Sequence, residues 1–141
     1  MKNKVLDEKD RQLLALLGKD ARASYRVLGE HIGLSAPAVK ERMRRLEHAE
    51  IITGYSVQLN LEQMGKPIGA FVLVAVPYSQ EKAFIRFVGE KSEIDSAHHL
   101  VGDSAFIVRV SADSMKTLEA LLNELMRFGQ TTTYMLLSRV K

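Results

Sequence analysis

The sequence of 141 residues contains no cysteine, only 3 prolines and no long hydrophobic run. Without cysteine there are no disulfide bonds, no thiolate catalysis and no cysteine-ligated zinc, which fits a reducing cytoplasm. The longest apolar run, residues 70–76, is far too short to span a bilayer. The N-terminus also lacks the apolar core of a signal peptide. With 46% apolar residues, the chain is expected to be a globular cytoplasmic protein of one ordinary domain or two small ones.

The histidines give no sign of an enzyme. The chain has 4 of them, and none shows the spacing of metal ligands or of a base and its nucleophile. His98 and His99 would point to opposite faces of a strand, so at most one of them could serve any site. No glycine-rich loop is present that could cradle a phosphate. We therefore expect surface or packing roles for the histidines, and no catalysis, cofactor or metal site.

What the sequence does contain is a pair of short helices joined by a tight turn. Ser24 is predicted to cap the first helix, and Gly33 to end it in a left-handed conformation. Gly29, one turn earlier, would let a second helix cross the first closely, at the angle of roughly 90 to 120° that a helix-turn-helix requires. Ser35 is predicted to cap the second helix, with Pro37 in its first turn. This pattern predicts a DNA-binding helix-turn-helix.

The second helix has an apolar stripe and a basic face. At about 100° per residue, Val39, Met43 and Leu46 share the stripe that packs against the core. The opposite side is predicted to enter the major groove, with Arg45 as a candidate for base contact. Arg42 lies beside the apolar stripe, where it could bind a phosphate or pair inside the domain. The candidate DNA-binding residues are Ser35, Ala36, Pro37, Ala38, Lys40, Glu41, Arg42, Arg44 and Arg45.

The alternative for this helix is an ordinary solvated face, with Glu41 paired to Arg45 one turn away. The placement of charge favours DNA. Residues 1–60 hold 11 Lys and Arg against 8 Asp and Glu, whereas residues 61–141 hold 9 of each. The whole basic excess therefore accompanies the helix-turn-helix, as expected of a nucleic-acid-binding domain.

A further helix is predicted before this pair, and a strand after it. Asp7 and Asp10 resemble a capping box, followed by four leucines that would complete a three-helix domain over residues 1–50. Branched and aromatic residues over Ile51–Leu59 predict a strand, within a linker over residues 51–66.

The second half, residues 67–141, predicts a ferredoxin-like βαββαβ domain, which makes the whole chain an α+β protein. Ser79 and Asp113 are expected to cap its two helices. The first strand is apolar on both faces, so an uncovered sheet face would be a large apolar patch, and we expect a second copy of the chain to cover it. The strands are predicted over residues 68–76, 94–101, 105–110 and 131–140.

Taken together, these motifs resemble the leucine-responsive regulatory protein and AsnC family of "feast or famine" transcription factors over essentially the entire chain. Three stretches carry the resemblance: Leu6, Asp7 and Asp10; Leu28, Gly33, Leu34, Ser35, Val39, Arg42, Arg45 and Leu46; and Ile52, Tyr55, Leu59 and Gly65. In this family Glu50 would usually be a helix-ending glycine, which predicts a less cleanly terminated recognition helix.

The resemblance implies a transcriptional regulator that binds double-stranded DNA, lies on the nucleoid, and assembles homodimers into tetramers, octamers or larger rings. It also implies an amino-acid or related effector near the turn Gly102, Asp103 and Ser104 and the threonines Thr131, Thr132 and Thr133. An ordinary hairpin turn and strand start is the alternative for these residues, because Ala105 replaces the family's acidic residue. The alternative function is a metabolite-binding regulatory module whose N-terminal domain docks a protein rather than DNA.

Overall fold

The structure is a computed structural model that describes residues 6–102 and 105–138. The chain divides into two compact units, residues 1–58 and 59–141. This division falls inside the predicted linker, and the domain boundaries predicted from the sequence remain predictions. Within the described ranges, no helix is both long and apolar enough to cross a membrane.

The N-terminal unit is built from three helices. They are α1 (Glu8–Lys19), α2 (Tyr25–Ile32) and α3 (Ala36–His48). Each helix contributes to one buried apolar cluster, because its apolar residues recur at helical spacing on one face. The three-helix arrangement predicted from the sequence is therefore confirmed. The buried members of the cluster are Leu13, Leu28, Ile32, Val39, Met43 and Leu46.

The predicted caps of these helices form. The Asp7 carboxylate accepts a hydrogen bond from the Asp10 amide at 2.8 Å, and the Asp10 carboxylate accepts one from the Asp7 amide at 3.2 Å. The Ser24 hydroxyl accepts a bond from the Val27 amide at 3.3 Å. Each cap satisfies amides that the first turn of a helix leaves without a partner.

Helix α3 ends cleanly, contrary to expectation. Glu50 adopts a left-handed backbone with φ of 55°. Its amide donates to the Glu47 carbonyl at 3.0 Å, and the Ile51 amide donates to the Leu46 carbonyl at 2.9 Å. These two bonds make a complete Schellman motif, the ending that usually has glycine in the left-handed position. The missing glycine therefore places the backbone strain on Glu50 and leaves the helix end ordered.

The strand predicted over Ile51–Leu59 does not form within the chain. A strand needs a hydrogen-bonded neighbour, and no strand in the described residues pairs with this segment. Its first residues are held by α3 instead, because the amide of Ile52 also bonds to the Leu46 carbonyl, at 3.2 Å. Farther along, the Tyr55 hydroxyl donates to the Glu47 carboxylate at 2.8 Å. The pKa of Tyr55 is raised to about 12, mainly because the hydroxyl is partly removed from water and secondly because of its hydrogen bond to Glu47.

The C-terminal unit has the predicted ferredoxin-like order of elements. They are β1 (Ile68–Ala75), α4 (Glu81–Glu90), β2 (Ile94–His99), β3 (Phe106–Ala112), α5 (Met115–Met126) and β4 (Gln130–Met135). The strands form one antiparallel sheet in the order β2-β3-β1-β4. Both helices pack on one face of this sheet, where Phe84 of α4 and three leucines of α5 join buried residues of β1 and β3.

Several predicted boundaries in this unit require correction. Ser79 does not cap α4, because the Gln80 amide bonds to the Pro77 carbonyl at 2.8 Å and closes a 3₁₀ turn through Ser79. The cap of α5 is Ser114 and not Asp113; the Ser114 hydroxyl accepts from the Thr117 amide at 3.2 Å. Three strands end earlier than predicted, β1 at Ala75, β2 at His99 and β4 at Met135, while β3 runs on to Ala112.

The two faces of the sheet differ in burial. On the helix-covered face, Ala70, Val72 and Val74 of β1 are fully buried. The other face, here called the outer face, carries Phe71 and Leu73, which are only half-buried. The strand register places the side chains paired with these two, on β3 and β4 and then on β2, on the outer face as well. They are Ser96, His98, Ile107, Arg109, Thr132 and Tyr134.

Candidate DNA-binding surface

The turn between α2 and α3 depends on two glycines. Gly33 ends α2 with φ of 66°, in the left-handed region. Gly29 lies one turn earlier, and a Cβ atom built on it would be 2.3 Å from the Leu34 carbonyl oxygen. The Leu34 amide in turn donates to the Gly29 carbonyl at 2.9 Å. The absence of a side chain at Gly29 therefore permits the tight turn that places α3 against α2.

Helix α3 begins as predicted. The Ser35 hydroxyl accepts a hydrogen bond from the Ala38 amide at 3.4 Å, and Pro37 lies in the first turn, where its missing amide proton is not needed. Ser35 and Pro37 are exposed, while the small residues Ala36 and Ala38 are half-buried.

Two of the predicted DNA-binding arginines are held inside the domain. The Arg42 guanidinium donates to the Asp10 carboxylate at 2.7 Å and to Asp7 at 2.6 Å. Arg45 donates to both oxygens of Asp10, each at 2.7 Å. The Asp10 side chain is only 4% exposed, so this carboxylate needs both cations. Without DNA, Arg45 therefore pairs within the domain, and its contact with a base stays a prediction, while Arg42 takes the internal-pairing alternative.

The ion pairs of this cluster shift the pKa values of Asp7 and Arg42. The hydrogen bond from Arg42 holds the pKa of the Asp7 carboxyl below its usual value, and the amide of Asp10 adds to the effect. Bonds from Asp7 and then Asp10 raise the pKa of Arg42. Both shifts favour the charged forms of Asp7 and Arg42, and the cluster ties α1 to the flank of α3.

Four exposed residues of α3 form one stripe along the helix. Successive turns place Pro37, Lys40, Glu41 and Arg44 together, and all four are exposed. This set is called the exposed stripe below. The Glu41 carboxylate accepts two hydrogen bonds from Arg44, from Nε at 3.1 Å and from Nη2 at 2.7 Å. Glu41 thus pairs with Arg44, and not with Arg45 as in the solvated-face alternative.

Sequence reasoning missed the role of Asp10, which it assigned only to a cap. One signal was available in the sequence. Arg42 and Arg45 are three residues apart and share one flank of α3. Two cations beside an apolar stripe require a nearby anion, but the sequence does not show which of the other helices supplies it.

The predicted effector residues are only partly brought together. Gly102, in the β2–β3 connection, and Thr131 lie at the same end of the sheet, but β1 separates β3 from β4. Thr131 and Thr133 pair with Val74 and Val72 and share the helix-covered face, whereas Thr132 pairs with Leu73 on the outer face. The three threonines of one chain therefore cannot line a single pocket. Asp103 and Ser104 lie outside the described residues.

Comparison with known proteins agrees with this architecture. Residues 6–47 match the family model of the AsnC-type helix-turn-helix domain, and residues 69–141 match that of the Lrp/AsnC ligand binding domain. The transcriptional regulator LrpB of Bacillus subtilis is 32% identical over 136 residues, 96% of this chain and 91% of its own length. The chain belongs to the Lrp/AsnC family. It is therefore a DNA-binding transcriptional regulator and not an enzyme.

Other relatives of this Lrp/AsnC regulator cover it to a similar extent. The leucine-responsive regulatory protein of Escherichia coli strain K12 is 32% identical over 145 residues, which span 98% of this chain and 88% of that protein. The structure of LrpC from B. subtilis superimposes with a TM-score of 0.90 at 28% identity, covering 97% of this chain and 98% of that one. The alternative of a protein-docking N-terminal domain is not supported by these relatives.

The histidines of this Lrp/AsnC regulator have packing or surface positions. His99 stacks on Phe106, with ring centroids 4.7 Å apart and planes tilted by 11°, and its Nε2 lies 3.7 Å from the Glu81 carboxylate. His98 lies on the outer face, so the two rings point to opposite sides, as the strand period predicts. Across residues 6–102 and 105–138, no three His, Asp or Glu side chains gather as metal ligands would.

Proposed function

We propose that this regulator contacts the major groove of its operator with the exposed stripe of α3. The observation that carries the proposal is the division of the basic residues of α3. Arg42 and Arg45 are held by buried Asp10, while Lys40 and Arg44 project from the exposed stripe. Ser35, Ala36 and Ala38 surround the N-terminal end of the helix, and their small size lets that end approach the base edges.

The test is the loss of operator binding when both cations of the stripe are removed. We expect Lys40→Ala combined with Arg44→Ala to weaken binding about 10- to 100-fold, because each contact to a base edge or phosphate contributes on this scale. Fluorescence anisotropy at fixed salt, on a duplex selected from a random library by the wild-type chain, measures the effect. Lys116→Ala combined with Arg127→Ala, which removes two exposed charges at α5, is the matched control. Equal affinities for the two double variants would refute the proposed contact.

We also propose that two copies pair through the outer face of the sheet. Phe71, Leu73 and Ile107 lie side by side on this face, and no helix of the described chain covers them. An apolar surface of this kind is typical of a two-fold interface, in which the same patch serves both partners. A dimer would present two helix-turn-helix units to half-sites one DNA turn apart, about 10 base pairs, or a multiple of it. Such a regulator would be found on the nucleoid in the cytoplasm.

The effector is proposed to be an amino acid. The ligand-binding family model covers residues 69–141, and a relative at 32% identity is named leucine-responsive. Because the threonines of β4 alternate between faces, Thr132 is the member that an interface on the outer face would contain. An effector regulates only if it binds one assembly state more tightly than another.

Light scattering of the full chain, with and without each of the twenty amino acids, tests both proposals. We expect a dimer or a larger species without effector, and a changed size distribution with an effective amino acid. Leu73→Lys is expected to give monomers, because it places a charge in the centre of the proposed interface. Ile85→Lys, at an exposed position of α4 on the other side of the sheet, is the control and should leave the assembly unchanged. A monomeric wild-type chain would exclude the interface, and twenty unchanged distributions would exclude an amino-acid effector.

A further inference from the structure

One acidic side chain lies on the surface that is proposed to bind DNA. Glu41 belongs to the exposed stripe, one residue after Lys40, and its side chain is 66% exposed. DNA presents one negative charge for about every 1.7 Å of its axis, so a carboxylate on this surface opposes binding unless it has a partner. Glu41 is therefore expected to lower the affinity for DNA unless it makes a specific contact there.

The partner of Glu41 in the DNA-free chain is the most exposed arginine of α3. Arg44 lies one turn after Glu41, and the two side chains form a two-point contact, with donor–acceptor distances of 3.1 and 2.7 Å. This contact occupies two of the guanidinium donors that would otherwise bind phosphate or guanine. It also lowers the pKa of the Glu41 carboxyl, through the bond from Arg44 first, so the carboxylate is charged at neutral pH.

This pair differs from the buried cluster in how readily it can exchange partners. The Arg44 and Glu41 side chains are 72% and 66% exposed, so water screens their attraction and the pair is weak. Arg45, in contrast, is held by a carboxylate that is 4% exposed. Arg44 can therefore leave Glu41 for a better partner on DNA at little cost, whereas departure of Arg45 would take one of its two cationic partners from the buried Asp10 carboxylate.

We infer that Glu41 is the specificity-determining residue of the exposed stripe, accepting a hydrogen bond from a cytosine amino group while Arg44 turns to a neighbouring guanine. The inference rests on the proposed contact between α3 and DNA. A carboxylate only accepts hydrogen bonds, and cytosine N4 is the donor that acidic side chains read in the major groove. Arginine pairs with O6 and N7 of guanine. On DNA that lacks the cytosine and the neighbouring guanine, Glu41 keeps its hydrogen bonds to Arg44 and repels the phosphates.

The test compares affinity for the selected operator with affinity for a scrambled duplex of the same length. The variant Glu41→Gln keeps the shape of the side chain and removes its charge. We expect it to bind the scrambled duplex several-fold more tightly and to lose about tenfold in the ratio of operator to scrambled affinity. The plot of log affinity for scrambled DNA against log salt should steepen by about 1, because the released Arg44 gains a phosphate contact.

A second variant and a control separate the two roles of Glu41. Glu41→Asp keeps the charge but shortens the reach, so it should lower operator affinity and leave scrambled affinity unchanged. Glu8→Gln removes one exposed negative charge from α1 and should leave the operator-to-scrambled ratio unchanged. If Glu41→Gln behaves as Glu8→Gln does, or lowers both affinities equally, Glu41 does not determine specificity. That outcome is distinct from failure of the proposed DNA contact, which would instead show as unchanged binding after loss of Lys40 and Arg44.

Discussion

Replacement of both Arg42 and Arg45 by alanine is expected to lower the free energy of unfolding of the N-terminal unit by about 3 to 5 kcal/mol. The reason is the carboxylate that these arginines leave behind. Asp10 is 4% exposed, and its two cationic partners lie at 2.7 Å. Without them it becomes an uncompensated buried charge. Hydrogen exchange of the amides of α1 and α3 in the full chain measures the change, because it reports the stability of each unit separately.

A third substitution distinguishes this explanation from a simple loss of contacts. Adding Asp10→Leu to the double variant removes the buried charge, so we expect it to recover most of the lost stability, as apolar replacement of buried ion clusters often does. Arg44→Ala is the matched control, since Arg44 pairs with an exposed carboxylate, and it should leave protection unchanged. Unaltered protection in the double variant would show that the cluster does not hold α1 to α3.

Gly29→Ala is expected to destabilise the N-terminal unit by about 1 to 3 kcal/mol and to reduce operator affinity at least tenfold. The added Cβ atom would lie 2.3 Å from the Leu34 carbonyl oxygen, which belongs to the backbone and cannot rotate away. The turn must therefore open, and the opening changes the angle at which α3 meets DNA. Hydrogen exchange and fluorescence anisotropy of the same preparation measure the two effects.

The control for this substitution has the opposite expected sign. A Cβ atom on Gly18, within α1, would meet nothing within 4 Å. Gly18→Ala should therefore stabilise the unit by about 0.5 to 1 kcal/mol, because alanine loses less conformational entropy in a helix. If Gly29→Ala and Gly18→Ala had the same effect, the close approach at Gly29 would not matter for the turn.

Much of the fold was predictable because it depends on local signals. Ser24 and Ser35 cap helices through bonds to amides three residues away, and such bonds are visible in sequence. The predictions for Ser79 and Asp113 failed where two neighbouring residues competed for one role. A turn opened by Pro77 includes Ser79, and Ser114 replaces Asp113 at the cap. Local rules place a helix start within a few residues but do not choose between adjacent candidates.

The candidate site was less predictable because it depends on contacts distant in sequence. The helical period gives the direction of Arg45 relative to its own helix, but Asp10 is 35 residues away. Its position follows only from the packing of α1. The threonines of β4 show a different limitation. The strand period alone excludes three consecutive residues from one face, and the prediction that grouped Thr131, Thr132 and Thr133 did not apply it.

The order of strands in the C-terminal sheet bears on aggregation. In the order β2-β3-β1-β4, the outermost strands are β2 and β4, and each is six residues long. The first is interrupted by a bulge at Asp95, and the second begins with Gln130 and a run of threonines. Short, polar and irregular edges of this kind discourage the open-ended addition of strands from other molecules. The proposed association through the outer face, in contrast, would use each face once and close, so larger assemblies would need a different surface.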